Sequence, residues 1–270
     1  MVIGLLIASG AAAGLFGALL GLGGGILVVP ILTIGFGLEL RAAIGVSLIA
    51  VIVTSSASSG PYLQRHLANL RLGMSLELFT AAGALAGGLL AFALDARVLA
   101  GLFAALLVYV AISMARAPQG EGSALLAESR PATPRGPQSD DEPVPGYVVR
   151  NWPLGVIGSA FAGLVSALLG VGGGIVKVPL LNLAMGVPLR VATATSNLMI
   201  GVTAAASATI YLLRGGIDPY VAGPMAIGVF VGASVGARVG DRIDARILRI
   251  LFVVVLLGTA FEMALKVLQG

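Results

Sequence analysis

Two glycine clusters, Gly21-x-Gly23-Gly24-Gly25 and Gly170-x-Gly172-Gly173-Gly174, stand between apolar stretches, and Pro30 and Pro179 follow each cluster five residues after its last glycine. Consecutive glycines at membrane depth break a helix and release backbone N–H and C=O groups, which protein, water or a ligand must then satisfy. The short pieces starting at Ile26 and Ile175 present open N-termini there. A helix N-terminus carries roughly half a positive charge and several undirected N–H donors, a setting suited to an anion. The competing role for such glycines is close helix packing. A triple cluster recurring at equivalent positions favours the anion site, built on Gly23, Gly24, Gly25 and Ile26 in the first copy and Gly172, Gly173, Gly174 and Ile175 in the second.

Other residues could complete that chemistry. Lys177 stands in the apolar string Ile-Val-Lys-Val-Pro, one turn past the second cluster. An ionisable side chain inside a membrane segment is expensive and a functional candidate; its ammonium would either neutralise a bound anion or snorkel to the interface. Ser47, Thr195, Ser196 and Asn197 can donate to oxyanion oxygens without bringing charge, as can the hydroxyl run Thr54–Ser59. The same groups can instead bond a carbonyl one turn back or join neighbouring helices. Pro30 and Pro179 each remove an N–H and free a carbonyl, which either shapes a short helix or provides a hinge.

Three patterns lead nowhere chemically. Gly232-Ala-Ser-Val-Gly236 fits GxSxG, but His66 is the single histidine, it sits in a polar loop, and Leu85 replaces the serine in the other copy; this is packing. Gly-Leu-Gly-Gly-Gly lacks the last glycine of a dinucleotide fingerprint and a surrounding βαβ unit. No cluster has metal-ligand spacing, and the absence of cysteine excludes thiolate sites and disulfides. No enzyme, cofactor or metal is expected.

The elements that position these residues must be membrane helices. The chain of 270 residues is 58% hydrophobic and 10% charged, with a mean hydropathy of +1.03, against about 25% charge in soluble domains. Several stretches stay apolar for about twenty residues, enough to cross a hydrocarbon core of ~30 Å. Met1–Leu20 has no basic leader region and reads as the first membrane helix. The net charge of +4 fits basic cytoplasmic loops; arginines scattered without interleaved aromatics argue against a nucleic-acid partner.

The chain is also a duplication. Gly14–Arg41 recurs at Gly163–Arg190, offset by 149 positions without a gap, with sixteen of 28 pairs identical. The match continues through Ser47/Ser196, Thr54/Thr203, Gly83/Gly232 and Asp95/Asp244. Residues 1–115 form the first transmembrane repeat and 151–270 the second. Between them, 116–150 holds six of the thirteen prolines and the acidic run Asp140-Asp141-Glu142, the composition of a flexible linker outside the membrane. The fold class expected is an all-α polytopic membrane protein of two repeats, each with four to five helical segments. The pieces lie near 2–20, 26–37, 42–65, 73–94 and 97–115, then 153–170, 174–186, 191–213, 220–240 and 246–268. The second piece of each repeat is too short to cross comfortably, at ~18 Å for a dozen residues; it either re-enters as a half-helix or crosses only partly with the preceding piece. Inverting the two halves gathers most arginines, with the linker, on one side, and the positive-inside bias favours that topology with the linker in the cytoplasm.

These residues resemble the sulfite exporter TauE/SafE family of permeases. The carriers are the paired GxGGGxxxxP motifs, Gly21–Pro30 and Gly170–Pro179, and the run G-V-P-L-R-V-A-T-A-T-S at Gly186–Ser196. The first repeat departs there, reading Gly37-Leu-Glu-Leu-Arg. The resemblance implies a multi-pass protein of a prokaryotic plasma or inner membrane that exports small sulfur-containing anions such as sulfite or sulfoacetate. Inverted repeats with broken helices place their site at the midplane, so alternating access around the two breaks is the expected mechanism. An anion channel and a non-transporting scaffold are the alternatives. Membrane potential favours anion efflux by about 2.3 kcal/mol per charge per 100 mV. Buried carboxylates are scarce, since Glu77 and Glu262 lie near helix ends, so uncoupled export is expected. Partners are the small anion and the lipid bilayer, and the sequence leaves a homodimer open.

Overall fold

The structure is a computed structural model that describes residues 2–20, 24–64, 68–116, 149–239, 250 and 253–263. Among these residues every regular element is a helix, as expected where no water can satisfy backbone groups and each segment must pair its own. In chain order they are α1 (Val2–Leu20), α2 (Gly25–Pro30), α3 (Leu40–Gln64), α4 (Leu70–Ala93) and α5 (Ala96–Arg116). After the linker come α6 (Trp152–Leu169), α7 (Gly174–Pro179), α8 (Leu189–Leu213), α9 (Pro219–Val239) and α10 (Val253–Met263). The expected linker residues 117–148 lie outside the described residues.

Six of these helices, α3, α4, α5, α6, α8 and α9, are long and apolar enough to cross a membrane by length and composition. They bury only part of that apolar surface: Leu78, Ile157, Ile227 and Phe230 all point outward. So large an exposed apolar surface is a lipid-facing one. The protein is a multi-pass helical membrane protein.

The helices exchange partners between the halves. α1 packs most extensively on α9, and α4 on α6, while α3 and α8 cross each other between those pairs. Glycines permit the close approach. A methyl group on Gly232 would lie 1.9 Å from Ala11 O, and one on Gly83 would lie 2.0 Å from Ala160 O. Likewise Gly14 faces Val229 O at 2.3 Å and Gly163 faces Thr80 O at 1.9 Å. In each pair both partners are shifted by the 149-residue repeat offset. This is the contact pattern that a two-fold axis between the halves generates. Gly232, the first residue of the GxSxG decoy, is indeed a packing residue.

The short second pieces match their expected extents closely. α2 continues as a π-helical turn over Ile31–Gly35, and α7 does the same over Leu180–Ala184. Pro30 and Pro179 stand at the two switch points. A proline offers no N–H to the preceding turn, so the α ladder loses a bond there and a wider turn follows. Both pieces then end alike: Leu38 N–H donates to Leu32 O at 3.0 Å and Val187 N–H to Leu181 O at 2.9 Å. Gly37 and Gly186 take left-handed φ of 68° and 69° beside those bonds, a glycine ending one residue wider than the Schellman bond, in keeping with the wider π turn before it. Arg41 then binds the C-terminal carbonyls of α4, with Nε 3.2 Å from Ala91 O and Nη2 2.5 Å from Leu94 O.

Candidate functional site

The two glycine breaks lie against one another. A methyl group on Gly25 would sit 2.5 Å from Gly170 O, so the start of α2 touches the chain entering the second break. Ser47, on α3, is fully buried at that junction. Its Oγ lies 2.7 Å from Gly170 O and 3.0 Å from Gly25 O, bridging carbonyls of both breaks. A helix that stops in an apolar interior leaves its last carbonyls without partners; Gly170 O, at the end of α6, is one, and the Ser47 hydroxyl serves it while lying within reach of Gly25 O.

Glycine is required in the breaks for conformational reasons. Gly24 precedes α2 with φ 70°, and Gly170, Gly172 and Gly173 precede α7 with φ of 70°, 83° and 77°. Side chains with a Cβ rarely adopt this left-handed region. Gly24 O and Gly173 O accept the first helical bonds, from Leu27 and Val28 N–H and from Val176 and Lys177 N–H respectively. No side chain caps either N-terminus, so the amides of Gly25 and Ile26, and of Gly174 and Ile175, begin helices without a side-chain acceptor. Gly23 lies outside the described residues. Ile26 is buried and Ile175 half-buried; Pro30 is buried and Pro179 exposed.

Two equivalent side chains close the junction. A methyl group on Gly25 would meet Val51 Cγ2 at 2.6 Å, and one on Gly174 would meet Ile200 Cδ1 at 2.6 Å. Gly172 is wedged between the same pair, with Val51 Cγ1 and Ile200 Cγ2 both 2.7 Å from such a methyl. Val51 and Ile200 are one repeat offset apart. The breaks therefore meet, with Val51 and Ile200 packed closely against their glycines. A cleft of ≈ 260 Å³ lined by Thr33, Leu40, Arg97 and Met263, among others, includes none of the break residues.

The hydroxyls divide sharply. Thr54 Oγ1 bonds Ala50 O at 3.1 Å and Ser56 Oγ bonds Ile52 O at 2.8 Å, the local back-bonding that hydroxyls make in helices. Ser55 Oγ donates to Asn197 O at 2.6 Å and so ties α3 to α8. Thr195 Oγ1 accepts from Asn69 N–H at 3.0 Å. Ser196, by contrast, is fully buried and its Oγ has no partner among the described residues. Ser166 on α6 is in the same condition. Both border the second break: Ser166 Cβ would be 3.3 Å from a methyl on Gly173, and Ser196 Oγ 4.0 Å from one on Gly174. Buried hydroxyls ordinarily find a partner, and these two find none among the described residues.

Lys177 is neither snorkelling nor bare. Its side chain is 1% exposed, and Nζ donates to Glu77 Oε2 at 3.0 Å and to Thr203 Oγ1 at 2.5 Å. Thr203 Oγ1 in turn lies 2.6 Å from Glu77 Oε1. Glu77 is 7% exposed, so its place near the start of α4 does not leave it in water. Sequence reasoning named Glu77 only to set it aside as lying near a helix end, and it passed over Ser166. The isolated charge at Lys177 was the available signal that a buried carboxylate had to exist somewhere.

Comparison with known proteins agrees with the architecture. The family described as "Sulfite exporter TauE/SafE" matches residues 6–263. The chain is 24% identical over 226 residues to "Probable membrane transporter protein YunE" of Bacillus subtilis, covering 79% of this chain and 80% of that protein. It is 29% identical over 214 residues to "Probable membrane transporter protein MJ0441" of Methanocaldococcus jannaschii, covering 77% and 72%. No solved structure gives a significant match.

Proposed function

The chain belongs to the sulfite exporter TauE/SafE family of membrane transporters, and we propose from that premise that it carries a small sulfur-containing anion, such as sulfite or sulfoacetate. The anion sits where the two glycine breaks meet, and the halves, inverted in the bilayer, rock to open that place to each side in turn. The observation that carries this proposal is the contact of the breaks: Gly25 against Gly170, bridged by Ser47 Oγ. Around the second break, Ser166 and Ser196 offer two unpaired donors, and α2 and α7 aim uncapped amides inward. Hydroxyls and amides suit an oxyanion because they donate without adding charge in an apolar interior.

Val51 and Ile200 act as the seal in this proposal, and their withdrawal is the opening step. A carrier that must move for each solute saturates and shows counterflow, whereas an open filter does neither. The test uses purified protein in proteoliposomes with labelled sulfite and sulfoacetate. We expect saturable uptake accelerated by unlabelled anion inside, and thermal stabilisation by one of these anions relative to chloride, through preferential binding to the native state. Linear, non-exchanging flux would point to a channel, and no flux with no stabilisation would defeat the transport of these anions.

A further inference from the structure

The pair Glu77–Lys177 links the halves, since Glu77 lies on α4 of the first repeat and Lys177 on α7 of the second. It has no counterpart across the duplication. One repeat offset from Lys177 stands Val28, fully buried, and one offset from Glu77 stands Ala226. Thr203 corresponds to Thr54, whose Oγ1 donates to the helix carbonyls Ala50 O and Val51 O. Both members of the ion pair therefore have apolar counterparts across the duplication. Replacing a buried ion pair by apolar residues is often neutral or stabilising, so folding alone gives no reason for the second repeat to keep one.

Its placement supplies a reason. Lys177 lies one turn beyond Gly173, whose carbonyl accepts its backbone N–H at 3.0 Å. Ser196 stands two turns before Thr203 on α8, so the unpaired hydroxyl and the triad share one helix face. The surrounding elements hold few other charges. On α4 there is Arg71, exposed near its start; α6 has none; α8 has Arg190 in its first turn and Arg214 just past its end, exposed.

We propose that Glu77 is a built-in anion that occupies Lys177 between transport events, and that the substrate takes its place while Glu77 accepts a proton. This rests on the anion-carrier function proposed above and supplies its coupling. Lys177 keeps its charge throughout. Its hydrogen bond to Glu77 Oε2 breaks, one to a substrate oxygen forms, and the released carboxylate takes one proton from water on the open side. Release of the anion on the other side returns Glu77 to Lys177 and sheds the proton there. One proton thus accompanies each anion in the same direction. A monoanion crosses without net charge, so the pH gradient sets the direction of flow in place of the membrane potential, and the uncoupled export expected from the sequence gives way to symport.

The experiment uses proteoliposomes with potential clamped at zero by potassium and valinomycin, and labelled sulfoacetate as probe, or sulfite if sulfoacetate shows no counterflow. Wild type is expected to exchange the anion and to accumulate it several-fold when the lumen is alkaline. Glu77→Gln, a fixed neutral side chain, should keep exchange and lose the gradient-driven accumulation. Accumulation retained in Glu77→Gln overturns the proposal, as does wild-type exchange that ignores the pH gradient. If Glu77→Gln loses both activities, Glu77→Asp decides: exchange with accumulation supports the proposal, exchange without it overturns it. Wild type without counterflow of either anion defeats the carrier function itself, a result distinct from failure of the coupling alone.

Discussion

Ser47 and Ser196 occupy equivalent positions in the duplication, yet one hydroxyl is engaged by two backbone carbonyls and the other has no partner among the described residues. Their alanine variants should therefore separate stability from binding. Ser47→Ala is expected to cost about 1 kcal/mol or more, because a buried carbonyl loses its donor. Ser196→Ala should shift stability by no more than ~0.5 kcal/mol, since no protein bond is lost. The same change should weaken anion binding by roughly tenfold or more, the worth of a hydrogen bond to a charged group. Melting in detergent and calorimetric titration with sulfite measure the two effects. Ser196 was legible in the sequence because it follows the second break in a polar cluster. Ser166 was not: it sits in an apolar helix with Gly17 as its counterpart, so comparing the repeats hides it. Glu77 was visible, but its pairing with Lys177 was not. Its partner lies 100 positions away, and no periodicity encodes which distant side chains meet.

The helix boundaries were more accessible, because the glycine clusters and prolines punctuate them directly. The expected pieces 26–37 and 174–186 correspond to α2 and α7 with their π-helical extensions and caps. The π turns themselves carry no sequence pattern; they arise from a bond that Pro30 and Pro179 cannot make. Nor could pattern alone foresee that α1 would pack on α9 and α4 on α6, since an apolar helix with glycines can dock on any similar one. That docking makes a symmetric prediction. Gly163→Ala and Gly232→Ala each place a methyl 1.9 Å from a backbone oxygen, and backbone cannot step aside cheaply. Each should lower stability by about 1–3 kcal/mol through overpacking, while Gly4→Ala, which meets nothing within 4 Å, should change it little. Thermal unfolding of the three variants side by side is the check.

At the scale of the whole molecule, Val51 from one half and Ile200 from the other pack into the junction of the breaks. If rocking withdraws them in turn, shortening both should leave the barrier incomplete. The double variant Val51→Ala, Ile200→Ala is expected to pass labelled sulfite by an added linear, non-exchanging component, measured as flux that no longer saturates. Saturable flux unchanged in both rate and counterflow would place the seal elsewhere.

The exchange of helices between halves also governs how the protein comes into being. Emerging from the ribosome, α1 and α4 enter the bilayer with their glycine faces bare, because their mates α9 and α6 have yet to be translated. The newborn first half thus lacks the packing partners of both helices until the second half is made. A gene encoding only one repeat would have faced the same need, and could have met it by pairing two identical subunits before fusion made the partnership permanent.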